Sequence, residues 1–241
     1  MATESELREK LATCTRILSM QGLLGLFGHI SSYQPTTRRI LISPGKGSDK
    51  SIIQAGDLAI LDLEGNVLEG EGRVPTEWPI HTALHGARAE ALAIAHLHSP
   101  NATLFAITRR EYRPVTLQAA MFGEGIPVYP EPHLITTPPK GKKLAELIGE
   151  KRAALLRGHG IVAVGRNIEE MLYACLTLED DTRKATQAAA LGELQCFSPE
   201  ECRQFESEAS LERRARRAWI YFTQLESRWD RQPAVGINVF V

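Results

Sequence analysis

The sequence predicts an α/β fold in which helices cover a mostly antiparallel sheet, and three observations carry that prediction. Short runs of apolar and β-branched residues alternate with stretches of helical period along the 241 residues. Hydrophobic residues make up 43% of the chain and charged residues 24%, a balance that supports an ordinary globular core. No repeat and no linker rich in Pro, Gly or Ser divides the chain, so one domain over 1–241 is expected, with a helical tail at about 198–230.

Taken in order, Thr3 and Glu6 have capping-box spacing for an amphipathic helix reaching about Gln21, where Gly22 stops it. Strand candidates follow at 28–33, 39–43, 58–62 and 67–69, the last two joined as a hairpin across Glu64, Gly65 and Asn66. Helical signals occupy 77–87 and 101–108, and a short apolar strand at 91–98 lies between them. A helix at 140–150 precedes a strand pair at 153–157 and 161–164. A long helix then fits 168–191, with Asn167 as its cap and Glu169 and Glu170 at its positive end.

The strand at 91–98 holds the most informative residues. Its period of two puts Ile94, His96 and His98 on one face, with the two histidines about 7 Å apart at Cα. A third imidazole comes 61 residues after His98, where Gly158 and Gly160 free the backbone to present His159 from a tight turn. Three neutral imidazoles suit zinc, iron, cobalt or manganese, and three protein ligands with a position left open mark a catalytic site. Glu77 is the carboxylate to single out, because it opens the helix just upstream of this strand, where a helix N-terminus favours its anionic form. The local sequence also accommodates a plain helix cap there.

Other features exclude function classes. Basic residues number 28 against 29 acidic, which argues against a dedicated nucleic-acid surface. Four scattered cysteines make no CxxC pair and suggest no disulfide framework. The acidic start lacks a signal-peptide pattern and no apolar run is long enough for a membrane span, so a cytoplasmic protein is expected. The stretch from Gly45 to Ser51 lacks the spacing of a nucleotide phosphate loop, although its glycines could form an anion nest. His81 and His85 fall on one helix face, but Thr82 stands where a metalloprotease needs glutamate. The basic run Arg213 to Arg217 is expected on a solvated or interface face. Trp219, Phe222, Leu225 and Trp229 form a stripe at helical spacing, the mark of core or subunit contact.

Together these segments resemble the class II aldolase/adducin family over roughly residues 7–192. The carriers are Gly28-His-Ile-Ser31, Ile42-Ser-Pro-Gly45, Gly56-Asp-Leu58, Thr76-Glu-Trp-Pro-Ile-His81, His96-Leu-His98 and Arg157-Gly-His-Gly160. The resemblance implies a three-layer α/β/α sandwich and a homotetramer with active sites between subunits. It also implies that His96, His98 and His159 hold one divalent metal (Zn, Mn, Fe or Co). The cation would act as a Lewis acid stabilising the enolate formed when a carbon–carbon bond breaks, and Glu77 would either ligate it or move a proton.

The sequence departs from sugar-phosphate members of that family where they grip phosphate. They have asparagine at the position of His29 and a pair of serines just before the catalytic glutamate, where this chain has Pro75 and Thr76. Proline has neither the hydroxyl nor an N–H to offer an anion. A small carboxylate substrate is therefore expected, bound by His29, which reads as a loop residue able to carry charge near neutrality. The other candidate substrate contacts are Ser31, Ser43, Gly45, Thr76 and His133. The favoured activity is decarboxylation of a hydroxylated acid, with a dihydroxy-aromatic acid among the candidates. An aldolase or epimerase acting on a hydroxy-keto acid or sugar phosphate is the alternative, and a non-catalytic adducin-like module ranks last.

Overall fold

The computed structural model describes residues 3–45 and 47–229. It places eight strands in one sheet between helices. Helix α1 (Glu4–Met20) begins at the expected capping box, in which Thr3 and Glu6 bond each other's backbone N–H. Strands β1 (His29–Gln34), β2 (Arg39–Ile42), β3 (Ala59–Leu61) and β4 (Val67–Glu69) follow, then α2 (Trp78–Ala87), β5 (Ala93–Leu97) and α3 (Ala102–Ile107). The remainder is β6 (Val128–Tyr129), α4 (Pro138–Ile148), β7 (Ala153–Leu156), β8 (Gly160–Gly165), α5 (Ile168–Ala189), α6 (Pro199–Glu208) and α7 (Leu211–Ser227).

The strand order is β4-β3-β2-β1-β5-β8-β7-β6. Every neighbouring pair is antiparallel except β6 with β7. That one parallel pair involves a strand of two residues, too short for periodicity to reveal. The two faces bury different neighbours, as alternation requires. Ile30, Ala95, Leu97, Ile161 and Ala163 face α1 and α5 through Leu11, Ile17, Met171 and Leu178. Ile94, Leu156, Val162 and Val164 face α2 and α4 through Ile80, Leu84, Leu144 and Ile148. His96 shares the parity of Ile94, so the second face carries it toward α2.

Several expectations move. Helix α4 starts two residues early because Pro138 and Pro139 fit its first turn, where their missing N–H groups would be unpaired anyway. The tail is two helices rather than one, broken at Ala209 and Ser210, and Asp230 and Pro233, its expected end, lie outside the described residues. Half of its aromatic stripe turns inward. Trp219 and Phe222 are partly buried against the main core, whereas Trp229 is exposed. In the basic run, Arg214 pairs with Glu206 and lies over the Tyr173 and Phe205 rings, so it is not a solvated charge. Among the described residues no helix is long and apolar enough to cross a membrane.

Candidate metal centre

The sheet brings three neighbouring strands to one place. His29, the first residue of β1, lies opposite His96 of β5, and His96 lies opposite Val162 of β8. The turn between β7 and β8 adds His159. Gly158 adopts φ +67° there, a conformation costly for other residues. Gly160 has a different function: a Cβ on it would sit 2.3 Å from the Leu97 carbonyl oxygen, so its bareness lets the turn close on the end of β5. His98 lies just past that end, half-buried, with its ring stacked on Phe27.

The three rings face one another, with centroids 4.7 Å apart for His96 and His159, 4.9 Å for His98 and His159, and 5.2 Å for His96 and His98. One nitrogen from each lies within 4.8 Å of the others. The Nδ1–H of His96 donates to the Ile161 carbonyl at 3.0 Å, which leaves Nε2 as a lone pair aimed away from the strand. That Nε2 and both nitrogens of His159 are buried with no hydrogen-bond partner. Burial and the neighbouring rings push the pKa of His98 down to about 4, so it is neutral and able to ligate at neutral pH.

Glu77 completes the donor set. It occupies the N-cap position of α2 but makes no capping hydrogen bond, so the plain-cap reading fails. One carboxylate oxygen accepts from the Ile135 N–H at 2.8 Å. The other lies 3.4 Å from His96 Nε2 and 3.5 Å from His159 Nε2. Burial alone would raise the carboxyl pKa, but the His159 and His96 rings, when a proton sits on the nitrogens turned to Glu77, and the Ile135 N–H overcome it and hold the group well below the usual carboxylate range; with those nitrogens bare, as a metal needs them, the Ile135 N–H is the contact that remains. Buried imidazole nitrogens without protein partners, gathered round an ionised carboxylate, fit a divalent cation and give those atoms a reason to be unpaired.

The expected substrate contacts fare differently. His29 is no loop residue: it is a buried strand residue whose Nδ1 lies 2.6 Å from His81 Nε2. Burial, then His81 and His96, depress its pKa well below the ordinary histidine value, so the protonated His29 expected to grip a carboxylate is not what the fold builds. The fully buried Ser31 hydroxyl lies between His81 Nδ1 at 2.6 Å and His85 Nε2 at 2.8 Å. Ser43 Oγ accepts the Ile30 N–H, and the Gly45 N–H donates to the Arg73 carbonyl. Thr76 is exposed beside Glu77, and His133 lies on the exposed stretch leading to Ile135.

Sequence reasoning set aside three residues that the structure draws into this region. His81 and His85, read only as a failed protease pair, are buried partners of Ser31, and their four-residue spacing was the available signal. Lys50 is buried with its ammonium on the Pro44 carbonyl, close enough to His29 to lower that ring's pKa. Burial pushes its own pKa down to about 8. Nothing in its local sequence marks a buried lysine.

Known proteins resemble this chain in sequence and in fold. The chain is 26% identical over 202 residues to a 3,4-dihydroxyphthalate decarboxylase of Arthrobacter keyseri, covering 79% of this chain and 82% of that one. It is 28% identical over 197 residues to a 5-deoxy-D-ribulose 1-phosphate aldolase of Bacillus thuringiensis serovar kurstaki, covering 80% and 90%. In fold it is similar to an L-fuculose 1-phosphate aldolase from Glaciozyma antarctica, with a TM-score of 0.81 at 23% identity over 94% of this chain and 92% of that one. The sequence pattern of the class II aldolase and adducin N-terminal domain matches residues 9–185, three-quarters of the chain. By that match, and with its α/β sandwich, the chain belongs to the class II aldolase/adducin family.

Proposed function

We propose that the protein is a divalent-metal-dependent carbon–carbon lyase that decarboxylates a hydroxylated, dihydroxy-aromatic carboxylic acid. His96, His98 and His159 would hold the metal, with Glu77 beside them, and a cation there supplies Lewis-acid chemistry to a substrate bearing adjacent oxygens. Glu77, ionised and fixed through Ile135, would take a proton from a substrate hydroxyl and pass it to the substrate carbon that carbon dioxide leaves, water then restoring the hydroxyl proton. The single observation that carries the choice of decarboxylase is the loop beside the centre. The Gly45 N–H is spent on Arg73 and Pro75, packed against Gly45, has no N–H to give, which leaves the O–H of Ser43, whose oxygen accepts the Ile30 N–H, as the one donor these three residues can still offer. A phosphate dianion needs such donors. A carboxylate needs fewer, and the buried ammonium of Lys50 is a cation next to this loop.

The similarity to a dihydroxyphthalate decarboxylase supports the same reading, whereas the similarity to a sugar-phosphate aldolase favours aldol cleavage of a hydroxy-keto acid or sugar phosphate as the second. A non-catalytic adducin-like role leaves the unpaired imidazole nitrogens unexplained. We place the enzyme in the cytoplasm, acting on a small molecule without nucleic acid or membrane. It would work as a homotetramer, in keeping with the apolar surface of Ile220, Tyr221 and Trp229 along the tail. The deciding experiment supplies the metal-loaded protein with dihydroxyphthalate, dihydroxybenzoates and sugar phosphates in parallel. Metal-dependent release of carbon dioxide from an aromatic acid is expected. Rapid aldehyde release from a sugar phosphate, with every acid inert, replaces this reading by the aldolase one.

A further inference from the structure

A ladder of four hydrogen bonds runs from the backbone to the candidate centre, and its far end sets its direction. The Ala91 carbonyl can only accept, so His85 Nδ1, 2.6 Å away, carries a proton. His85 Nε2 is then a lone pair, and the Ser31 hydroxyl at 2.8 Å donates to it. With its one proton used, Ser31 Oγ accepts from His81 Nδ1 at 2.6 Å. His81 Nε2 is a lone pair in turn and accepts from His29 Nδ1 at 2.6 Å.

Three neutral imidazoles and one hydroxyl supply four protons, one for each bond. The count closes only if the outer nitrogen of His29, Nε2, is bare. Ser31 and His81 are fully inaccessible, His85 and His29 nearly so, which keeps water from reversing any step. Burial also disfavours the charged form of all three rings, none of which is more than 5% exposed. The bare nitrogen is next to the centre, for the His29 ring lies 5.1 Å from that of His96, its cross-strand partner.

We infer that His29 is a specificity-determining residue whose Nε2 accepts a hydrogen bond from a substrate hydroxyl, and that Ser31, His81 and His85 are positioning residues that hold it in the acceptor tautomer. An acceptor-only group at this point favours a ligand with an O–H to give. It repels the oxygens of a carboxylate or a phosphomonoester dianion, which also bring only lone pairs. His29 thus turns from the anion grip expected of it into a reader of hydroxyl groups. The ligand it would read is the hydroxylated acid proposed above, and the role rests on that reading for the ligand's identity.

The tautomer is measurable without turnover. Nitrogen-labelled histidine in the zinc-loaded protein gives one set of ring signals for each of only seven histidines, and long-range proton–nitrogen correlations separate the tautomers. His29, His81 and His85 are expected as Nδ1–H forms. Ser31→Thr, which keeps the hydroxyl, is expected to preserve that pattern, and Ser31→Ala to lose it at His81 and His29. An Nε2–H tautomer at His29, or His29 Nε2 bound to zinc, overturns the assignment.

A second arm measures calorimetric binding of ortho-dihydroxybenzoate, its dimethyl ether and inorganic phosphate to the same zinc-loaded protein. The unmodified protein should prefer the free hydroxyls over the ether, and Ser31→Ala should shrink that preference by about 10-fold while Ser31→Thr retains it. An unchanged preference in Ser31→Ala, or dihydroxybenzoate binding no better than phosphate, sinks the role for His29. Failure of every acid to release carbon dioxide, with tautomers and preference as expected, would instead remove the decarboxylase reading and leave His29 as a hydroxyl acceptor.

Discussion

Six of the seven histidines lie in two adjoining clusters, and the two treat their nitrogens in opposite ways. In the ladder of His29, His81 and His85, five of the six ring nitrogens have a protein partner. In the cluster of His96, His98 and His159, three buried nitrogens have no hydrogen-bond partner, and two of them face only the Glu77 carboxylate, at 3.4 and 3.5 Å. Leaving a buried polar atom unpaired costs about 1–3 kcal/mol. A fold that satisfies one set of imidazoles almost completely, and leaves the set beside it open, holds the second for something the protein does not itself supply.

The largest effect should come from the open cluster. His96→Ala, His98→Ala or His159→Ala should each remove most bound metal and reduce activity to background. His159→Ala is the sharpest case, since neither of its nitrogens has a hydrogen-bond partner to lose, and its melting temperature in the metal-free state should barely change. Elemental analysis and calorimetry check both halves. Undiminished stoichiometric metal in the triple variant would erase the distinction between the two clusters.

Glu77→Gln comes next. It keeps the shape and an oxygen for the Ile135 N–H but removes the charge, so kcat should fall by about 10²-fold or more with substrate still bound, the range for a general acid–base group. Near-normal turnover would make Glu77 a spare ligand. The residue also shows what was legible beforehand. Its place at the head of a helix upstream of the histidine strand could be read from sequence, but its side chain's choice of Ile135 over the helix's own N–H groups could not, because that partner is 58 residues away.

Legibility follows the same line elsewhere. The alternation that placed His96 on one strand face is local, and so is the glycine turn that presents His159. The i,i+4 spacing of His81 and His85 was equally visible, yet its meaning depends on Ser31, which reaches both rings from a strand some 50 residues earlier. His29 fell inside the strand candidate at 28–33 and was still assigned a loop residue's anion grip, because one histidine at the edge of an apolar run has no periodicity of its own. The antiparallel register that pairs it with His96 is a tertiary fact.

Acid should expose the share of stability held by His85, and a variant is needed to separate it from the other buried imidazoles. The pKa of His85 falls from 6.5 unfolded to about 4 in the fold. Between those values the unfolded chain binds more protons than the folded one, so stability is full above about pH 6.5 and is lost as pH falls toward 4. The loss from this ring is on the order of 3 kcal/mol. Denaturant titrations of the metal-free protein across that window should show the slope, and His85→Gln should flatten it. A slope unchanged in the variant would assign the acid sensitivity to the other buried imidazoles, His29, His81 and His98, instead.

The smallest effect is the one that isolates the closed cluster. Ser31→Ala deletes a single oxygen, and no group the family resemblance assigns to the metal is touched. It leaves a donor, His81 Nδ1–H, and an acceptor, His85 Nε2, facing a space that held only the hydroxyl. With both buried, the variant should lose about 1–3 kcal/mol of stability, measured by denaturant unfolding, at unchanged metal stoichiometry. Ser31→Thr should recover most of it, since the hydroxyl returns and the added methyl is the only new demand on space. If Ser31→Ala instead lost metal as readily as His159→Ala, the clusters would be one unit, and the saturated ladder would be part of the metal's support rather than a neighbour with its own task.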